Sequence, residues 1–138
     1  MDAYSLKPDE GWTYSFGIDF TVKAREFQST NGAAVVEYVT RKGEEPGDHT
    51  HPTEDEMFYV LEGELTFRCG DRTLDVEAGG FVFLPRGVEH NYAIRSDGPV
   101  RLLVVTAPPR EPSEGWDGFV ASFESSAKLV AGPPGVDR

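Results

Sequence analysis

From Trp12 the even positions are apolar (Trp12, Tyr14, Phe16, Ile18, Phe20, Val22), with Thr13, Ser15, Gly17, Asp19 and Thr21 between them. Successive side chains on a strand point to opposite faces, so this alternation predicts a half-buried strand, and Gly17 marks where it bends or breaks. Ala33–Arg41 is a second β-rich run, entered through the turn residues Asn31 and Gly32. Gly43 to Asp48 reads as a polar loop. Short strands then follow closely: Met57–Leu61, Glu64–Cys69, Arg72–Glu77, Phe81–Leu84, Glu89–Arg95 and Pro99–Ala107. Gly, Pro and Asp stand at the breaks, and Gly70-Asp71 is a two-residue hairpin signal. No segment before residue 110 carries a helical period, so the pattern predicts an all-β sandwich or barrel.

Past Pro108-Pro109 the pattern changes. Glu114–Leu129 sets Trp116, Phe119, Val120 and Phe123 at helical spacing, so a short C-terminal helix is expected there, weakened by Gly115 and Gly118. Its apolar stripe suits packing on the outside of the barrel or on a second subunit. Ala131 to Arg138 is rich in Gly and Pro and reads as a loose tail. The expected layout is an arm over 1–11, one β domain over 12–110 and an extension over 111–138.

Composition narrows the partners. At 138 residues there is room for one domain with a real core. Acidic residues outnumber basic ones 24 to 13, and a net charge of -11 argues against nucleic acid or an anionic membrane as partner. No apolar run approaches a membrane span, and the first residues carry neither a basic nor an apolar signal region. The single Cys69 has no internal disulfide partner, so it reads as a small buried hydrophobe in a cytoplasmic protein.

The chemistry concentrates in two places. All three histidines lie in them: His49 and His51, two residues apart and so on one face of an extended segment, and His90, in a turn running from Pro85 into a new strand. Glu56 follows His51 closely enough for a short bend to bring its carboxylate back. Three imidazoles and a carboxylate suit one divalent transition metal ion: Fe, Ni, Zn, Mn, Co or Cu. A site that only stiffens the fold stays open beside a catalytic one. Glu56 is a fourth ligand, with a general-base role as an addition. Glu54, Asp55 and Glu89 flank the ligands and read as solvated. By parity Phe58 and Val60 share a face with Glu56, and Tyr92 and Ile94 share one with His90. That gives Phe58, Tyr92 and Ile94 as pocket residues and an apolar or aromatic small molecule as substrate, since the pattern forces no cation into the ring.

These positions resemble the cupins. Gly43, His49, His51, Glu56 and Gly63 fit the first cupin motif at each spacing, and Gly79, Pro85, Gly87 and His90 fit the second. Where the second motif expects Asn, this chain has Ile94, which makes the pocket greasier without touching the four ligands. The resemblance covers roughly residues 33–107. It implies an antiparallel jelly-roll β-barrel with the metal inside it, held by His49, His51, Glu56 and His90. It also implies a homodimer paired through edge strands, for which the aromatic first strand is the natural candidate. The chain resembles the small quercetin-dioxygenase-like cupins, which implies a dioxygenase acting on an aromatic or enol substrate that Tyr92 orients. A non-redox isomerase, cyclase or lyase, and a metal-containing binding module without catalysis, are the alternatives.

Overall fold

The computed structural model describes residues 3–25, 28 and 32–107, and the backbone of 128–131. Among the described residues the regular elements are strands, apart from Gln28, which is helical. They are β1 (Trp12–Phe16), β2 (Ile18–Ala24), β3 (Ala34–Thr40), β4 (Asp55–Glu62), β5 (Glu64–Cys69), β6 (Arg72–Glu77), β7 (Phe81–Leu84), β8 (His90–Ile94), β9 (Val100–Ala107) and β10 (Lys128–Ala131). They form two antiparallel sheets, one of seven strands in the order β10-β1-β2-β3-β9-β4-β7 and one of three in the order β6-β5-β8. The result is an antiparallel jelly roll whose wall is a two-sheet sandwich rather than a closed cylinder. No helix among the described residues is long and apolar enough to cross a membrane.

The first alternating run folds as a hairpin about Gly17, whose φ of 76° only glycine adopts readily. The pairs Trp12↔Val22, Tyr14↔Phe20 and Phe16↔Ile18 keep every even residue on one face through the reversal. That face turns inward, where Trp12, Val22 and Val36 form a cluster with Tyr14, Phe20 and Tyr38 packed against it. A larger cluster between the sheets joins Phe58 and Val60 of β4, Leu65 and Phe67 of β5, Val82 and Leu84 of β7, Tyr92 and Ile94 of β8, and Leu102 and Val104 of β9. The alternate residues of β4 and β7 face outward: Tyr59 is 44% exposed, Leu61 40%, Phe81 58% and Phe83 48%.

Two expectations change here. β1 is not a sheet edge, because β10 pairs with it through Thr13↔Ala131, Tyr14↔Leu129 and Ser15↔Lys128. The aromatic first strand therefore offers neither a free edge nor a free aromatic face for pairing subunits. The expected helix over Glu114–Leu129 lies outside the described residues up to position 127, and its last two residues, Lys128 and Leu129, are strand. Ala131, expected in the loose tail, closes the same strand, whose backbone bonds to β1 outweigh any local preference. The arm over 1–11 is without regular structure where described, and Tyr4 packs edge-on against Trp12 and donates to the Lys23 carbonyl at 2.7 Å.

The turn between β4 and β5 rests on Gly63, at φ 96°, where an added Cβ would lie 2.6 Å from Val100 Cγ2. Val100 is fully buried and cannot give way. Gly63→Ala is expected to destabilise the fold by about 2 kcal/mol or more, from overpacking and the left-handed backbone together. A denaturant midpoint equal to that of the parent chain would contradict it.

Candidate metal centre

The local backbone brings the two histidine segments together. His49 and His90 form an isolated antiparallel bridge, with His49 N–H donating to the His90 carbonyl at 3.1 Å and His90 N–H to the His49 carbonyl at 2.9 Å. Their rings lie 4.4 Å apart between centroids. Two residues on, the His51 carbonyl accepts from Gly87 N–H at 2.8 Å, which ties the first histidine segment to the turn before His90. Glu56, second residue of β4, enters from the facing sheet. Its Oε2 is 3.5 Å from His51 Nε2 and its Oε1 is 3.3 Å from His90 Nε2. One donor atom from each of His49, His51, Glu56 and His90 falls within 4.8 Å of all the others. Metal–ligand bonds of about 2.0–2.2 Å require donor atoms roughly 3–4 Å apart, so a small contraction closes the set.

The outer nitrogens of the rings decide which tautomer is present. His49 Nδ1 is 2.7 Å from the Gly47 carbonyl and His90 Nδ1 is 3.1 Å from the Val88 carbonyl. A carbonyl only accepts, so in both rings Nδ1 carries the proton and Nε2 keeps a lone pair. His51 Nδ1 faces a carboxylate instead, Glu54 Oε1 at 3.1 Å. That contact is the main reason the His51 pKa lies above the usual imidazole value; burial opposes it, and the charges of Glu56 and Glu54 add to it. His51 Nε2 and His90 Nε2 are buried and make no hydrogen bond, although Glu56 lies close by. Without a proton on Nε2, these nitrogens and the carboxylate repel one another in an apolar interior, and a cation between them removes the conflict. The donor set therefore fits a divalent transition metal.

Two surface clasps hold these segments in place. Asp48 takes the Arg68 Nη2 donor at 2.7 Å and also bonds Asn91 Nδ2, fastening the residue before His49 to β5 and β8. Asp55 accepts from Arg86 N at 2.9 Å and Arg86 Nη2 at 3.0 Å, fastening the start of β4 to the turn ahead of His90. Hydrogen bonds from these arginines hold the Asp48 and Asp55 carboxyls below their ordinary pKa, with Asn91 adding to the effect at Asp48. Such exposed pairs add little stability, but they set the register of the site.

Parity expected Phe58, Tyr92 and Ile94 on the inner face. Phe58, Tyr92 and Ile94 are all buried inside the sandwich. Phe58, Phe67 and Tyr92 pack as an aromatic group, with centroids 5.0, 5.4 and 6.2 Å apart. Ile94 lies four residues beyond His90, about 13 Å along the strand, in register with Leu65. Three residues escaped the pattern. Tyr38 of β3 brings its hydroxyl 3.1 Å from that of Tyr92, and burial pushes its pKa well above the phenol value. Nothing in the local sequence pairs β3 with β8. Asn91 clasps Asp48 from the opposite parity to His90. Glu54, expected in solvent, is 4% exposed and bonded to His51. The signal for it was Pro52, which forces a turn that carries the residue three beyond His51 back to its ring.

Comparison with known proteins agrees with this geometry. The family described as "Cupin domain" matches residues 36–106, just over half of the chain. The tetracenomycin polyketide synthase protein TcmJ of Streptomyces glaucescens is 30% identical over 66 residues, 48% of this chain and 44% of that protein. The chain spans about half the length of the curated relatives it matches, 44% to 52%. Among solved structures, a predicted oxalate decarboxylase of Thermotoga maritima superposes with a TM-score of 0.65 at 16% identity, over 76% of this chain and 99% of that one. The Schizosaccharomyces pombe Cnp3 cupin domain superposes with a TM-score of 0.62 at 21% identity, over 77% and 68% of the two chains. At these identities the structures speak for the fold alone. The family match, the double-sheet jelly roll and the convergent His/His/Glu/His cluster together establish that this chain belongs to the cupin family.

Proposed function

We propose that the protein is a metal-dependent enzyme of dioxygenase type, acting on a small aromatic or enol-type substrate. The carrying observation is the company the cluster keeps: three lone-pair nitrogens and a carboxylate converge beside an interior of Phe58, Phe67, Tyr92 and Tyr38. In this reading His49, His51, His90 and Glu56 hold the metal. A divalent ion there supplies Lewis-acid polarisation of a substrate oxygen and, when redox-active, electron exchange with O2. In this reading Glu56 also takes an enol or phenol proton; among the described residues its ion-pair partners are His51 and His90 rather than a Lys or Arg. Tyr92 and Tyr38 orient the substrate through their paired hydroxyls, and burial, which raises the pKa of each, disfavours their ionisation further. The aromatic rings exclude water. A polyketide is built of dicarbonyl units that enolise, so the Streptomyces relative named as a polyketide synthase protein favours the same substrate chemistry.

The reading extends to a homodimer formed through the outer face of β9, β4 and β7. The register sets Val105, Met57 and Phe83 in one row and Leu103, Tyr59 and Phe81 in the next. Its four most exposed members alone show on the order of 400 Å² of apolar surface, the upper range for a monomer and about half of one partner's share in a standard interface. In a chain of net charge -11, a face whose two central rows carry no charge is where two copies approach at least cost.

Four outcomes test this. The purified protein is expected to carry stoichiometric metal and to melt higher than its chelated form, because a ligand of the native state adds stability. His51→Ala is expected to lose that metal while circular dichroism stays β-rich; full retention would discredit the ligand set. Protein loaded with Fe, Ni or Cu is expected to consume O2 with a flavonol or β-diketone. Turnover with zinc and no O2 uptake would move the assignment to an isomerase, cyclase or lyase. Light scattering is expected to give twice the chain mass, and Phe81→Lys with Phe83→Lys half of that; a monomeric parent would remove the dimer.

A further inference from the structure

Two of the three imidazoles rest their outer nitrogen on a backbone carbonyl, and His51 alone rests it on a charge. Glu54 Oε1 is 3.1 Å from His51 Nδ1, and the Glu54 side chain is 5% exposed. Its other oxygen, Oε2, is buried with no hydrogen-bond partner. Among the described residues His51 is the one group that Glu54 bonds, and the ion-pair partners of Glu54 and Glu56 are His51 and His90. A carboxylate that serves only to shape a loop accepts backbone N–H groups, as Glu44 does from Arg41 and Glu10 from Lys7. Glu54 accepts none. Burying a carboxylate with one oxygen idle is costly unless a positive charge lies near.

We infer that Glu54 is a positioning residue for the metal, a role that rests on the metal reading above. Its carboxylate accepts the Nδ1 proton of His51 and fixes the ring so that the Nε2 lone pair faces His90 and Glu56. It also supplies a second negative charge. With three neutral imidazoles, Glu54 and Glu56 together balance a divalent cation, so the loaded site is neutral inside an apolar sandwich. His49 and His90 need only orientation, and carbonyls provide it. Pro52 makes the arrangement local, because it holds His51 extended and turns the chain toward Glu54.

Cobalt is a suitable probe, since its paramagnetism shifts the N–H signals of coordinated imidazoles out of the protein envelope. The full chain is titrated with Co2+ against a chromophoric chelator, and proton spectra of the loaded protein are recorded in water. The parent is expected to bind one Co2+ and show three shifted N–H signals. Glu54→Gln keeps an acceptor without the charge and is expected to bind about tenfold more weakly, at the low end of the range for lost outer-shell partners. Glu54→Ala is expected to bind about 10–100-fold more weakly and to lose one of the three N–H signals to exchange with water, leaving the other two. Parent-like affinity in both variants, with three signals in each, overturns the inference, even if the metal-free melting temperature falls. Should the alanine variant fail to fold, the glutamine variant decides alone, and unchanged affinity in it overturns the inference. A parent chain that takes up no Co2+ overturns the metal reading itself, a result distinct from a parent that binds and a variant that binds equally well.

Discussion

Unprotonated ring nitrogens and carboxylate oxygens aimed at one another inside an apolar sandwich repel, and a chain left to relax would turn them apart. Holding them together is the constraint to which the surrounding structure answers. The His49–His90 backbone bridge fixes one segment against another, and Gly87 bonding the His51 carbonyl fixes it a second time. Glu56 needs no clasp of its own, because β4 is hydrogen-bonded on both sides, to β7 and β9. The rings are then turned by contacts at their outer nitrogens. Each of these interactions contributes only about 0.5–1.5 kcal/mol. Their number and the rigidity of the sheets prevail over a repulsion that a flexible loop would relieve.

Much of this was legible in the residues. Period-two alternation located the strands, because a half-buried sheet leaves that trace and no other element does. Parity then placed Phe58, Tyr92 and Ile94 inside and Tyr59 outside, as the structure has them. The spacing of His49, His51, Glu56 and His90 announced the cluster, since tight turns and short strands leave little freedom in where such side chains end up. What escaped depends on pairings between distant elements. Tyr38 meets Tyr92 across 54 positions of sequence, and β10 closes the edge of β1. Neither partner carries a local mark of the other. Glu54 escaped for a different reason: an acidic residue next to acidic residues looks solvated until the turn at Pro52 is seen to fold it under His51.

The departure at Ile94 also looks different in three dimensions. An apolar residue where cupins often place Asn lies in register with Leu65 and within the large core cluster. Two residues before that position on β8, Tyr92 brings its hydroxyl 3.1 Å from that of Tyr38. Phenols donate one hydrogen bond from a flat apolar body, whereas an amide offers two donors and an acceptor. Under the proposed function, a pocket with this lining would favour flat, weakly polar molecules with one or two oxygens over sugars or dicarboxylates.

Charge sets the final relation between site and molecule. The chain carries eleven net negative charges, yet the acidic groups nearest the cluster are neutralised in pairs: Asp48 by Arg68, Asp55 by Arg86. Glu54 and Glu56 are buried, and neither has a Lys or Arg partner among the described residues. The long-range field therefore draws cations toward the protein, and the local pairing leaves two carboxylates free to complete the capture. Selectivity follows from the donor atoms rather than from the field: three imidazole nitrogens favour a transition ion over magnesium or calcium, which prefer oxygen. A surface that attracts any cation and a cluster that keeps only a few kinds are complementary, and the second works because Nδ1 of each ring is already engaged.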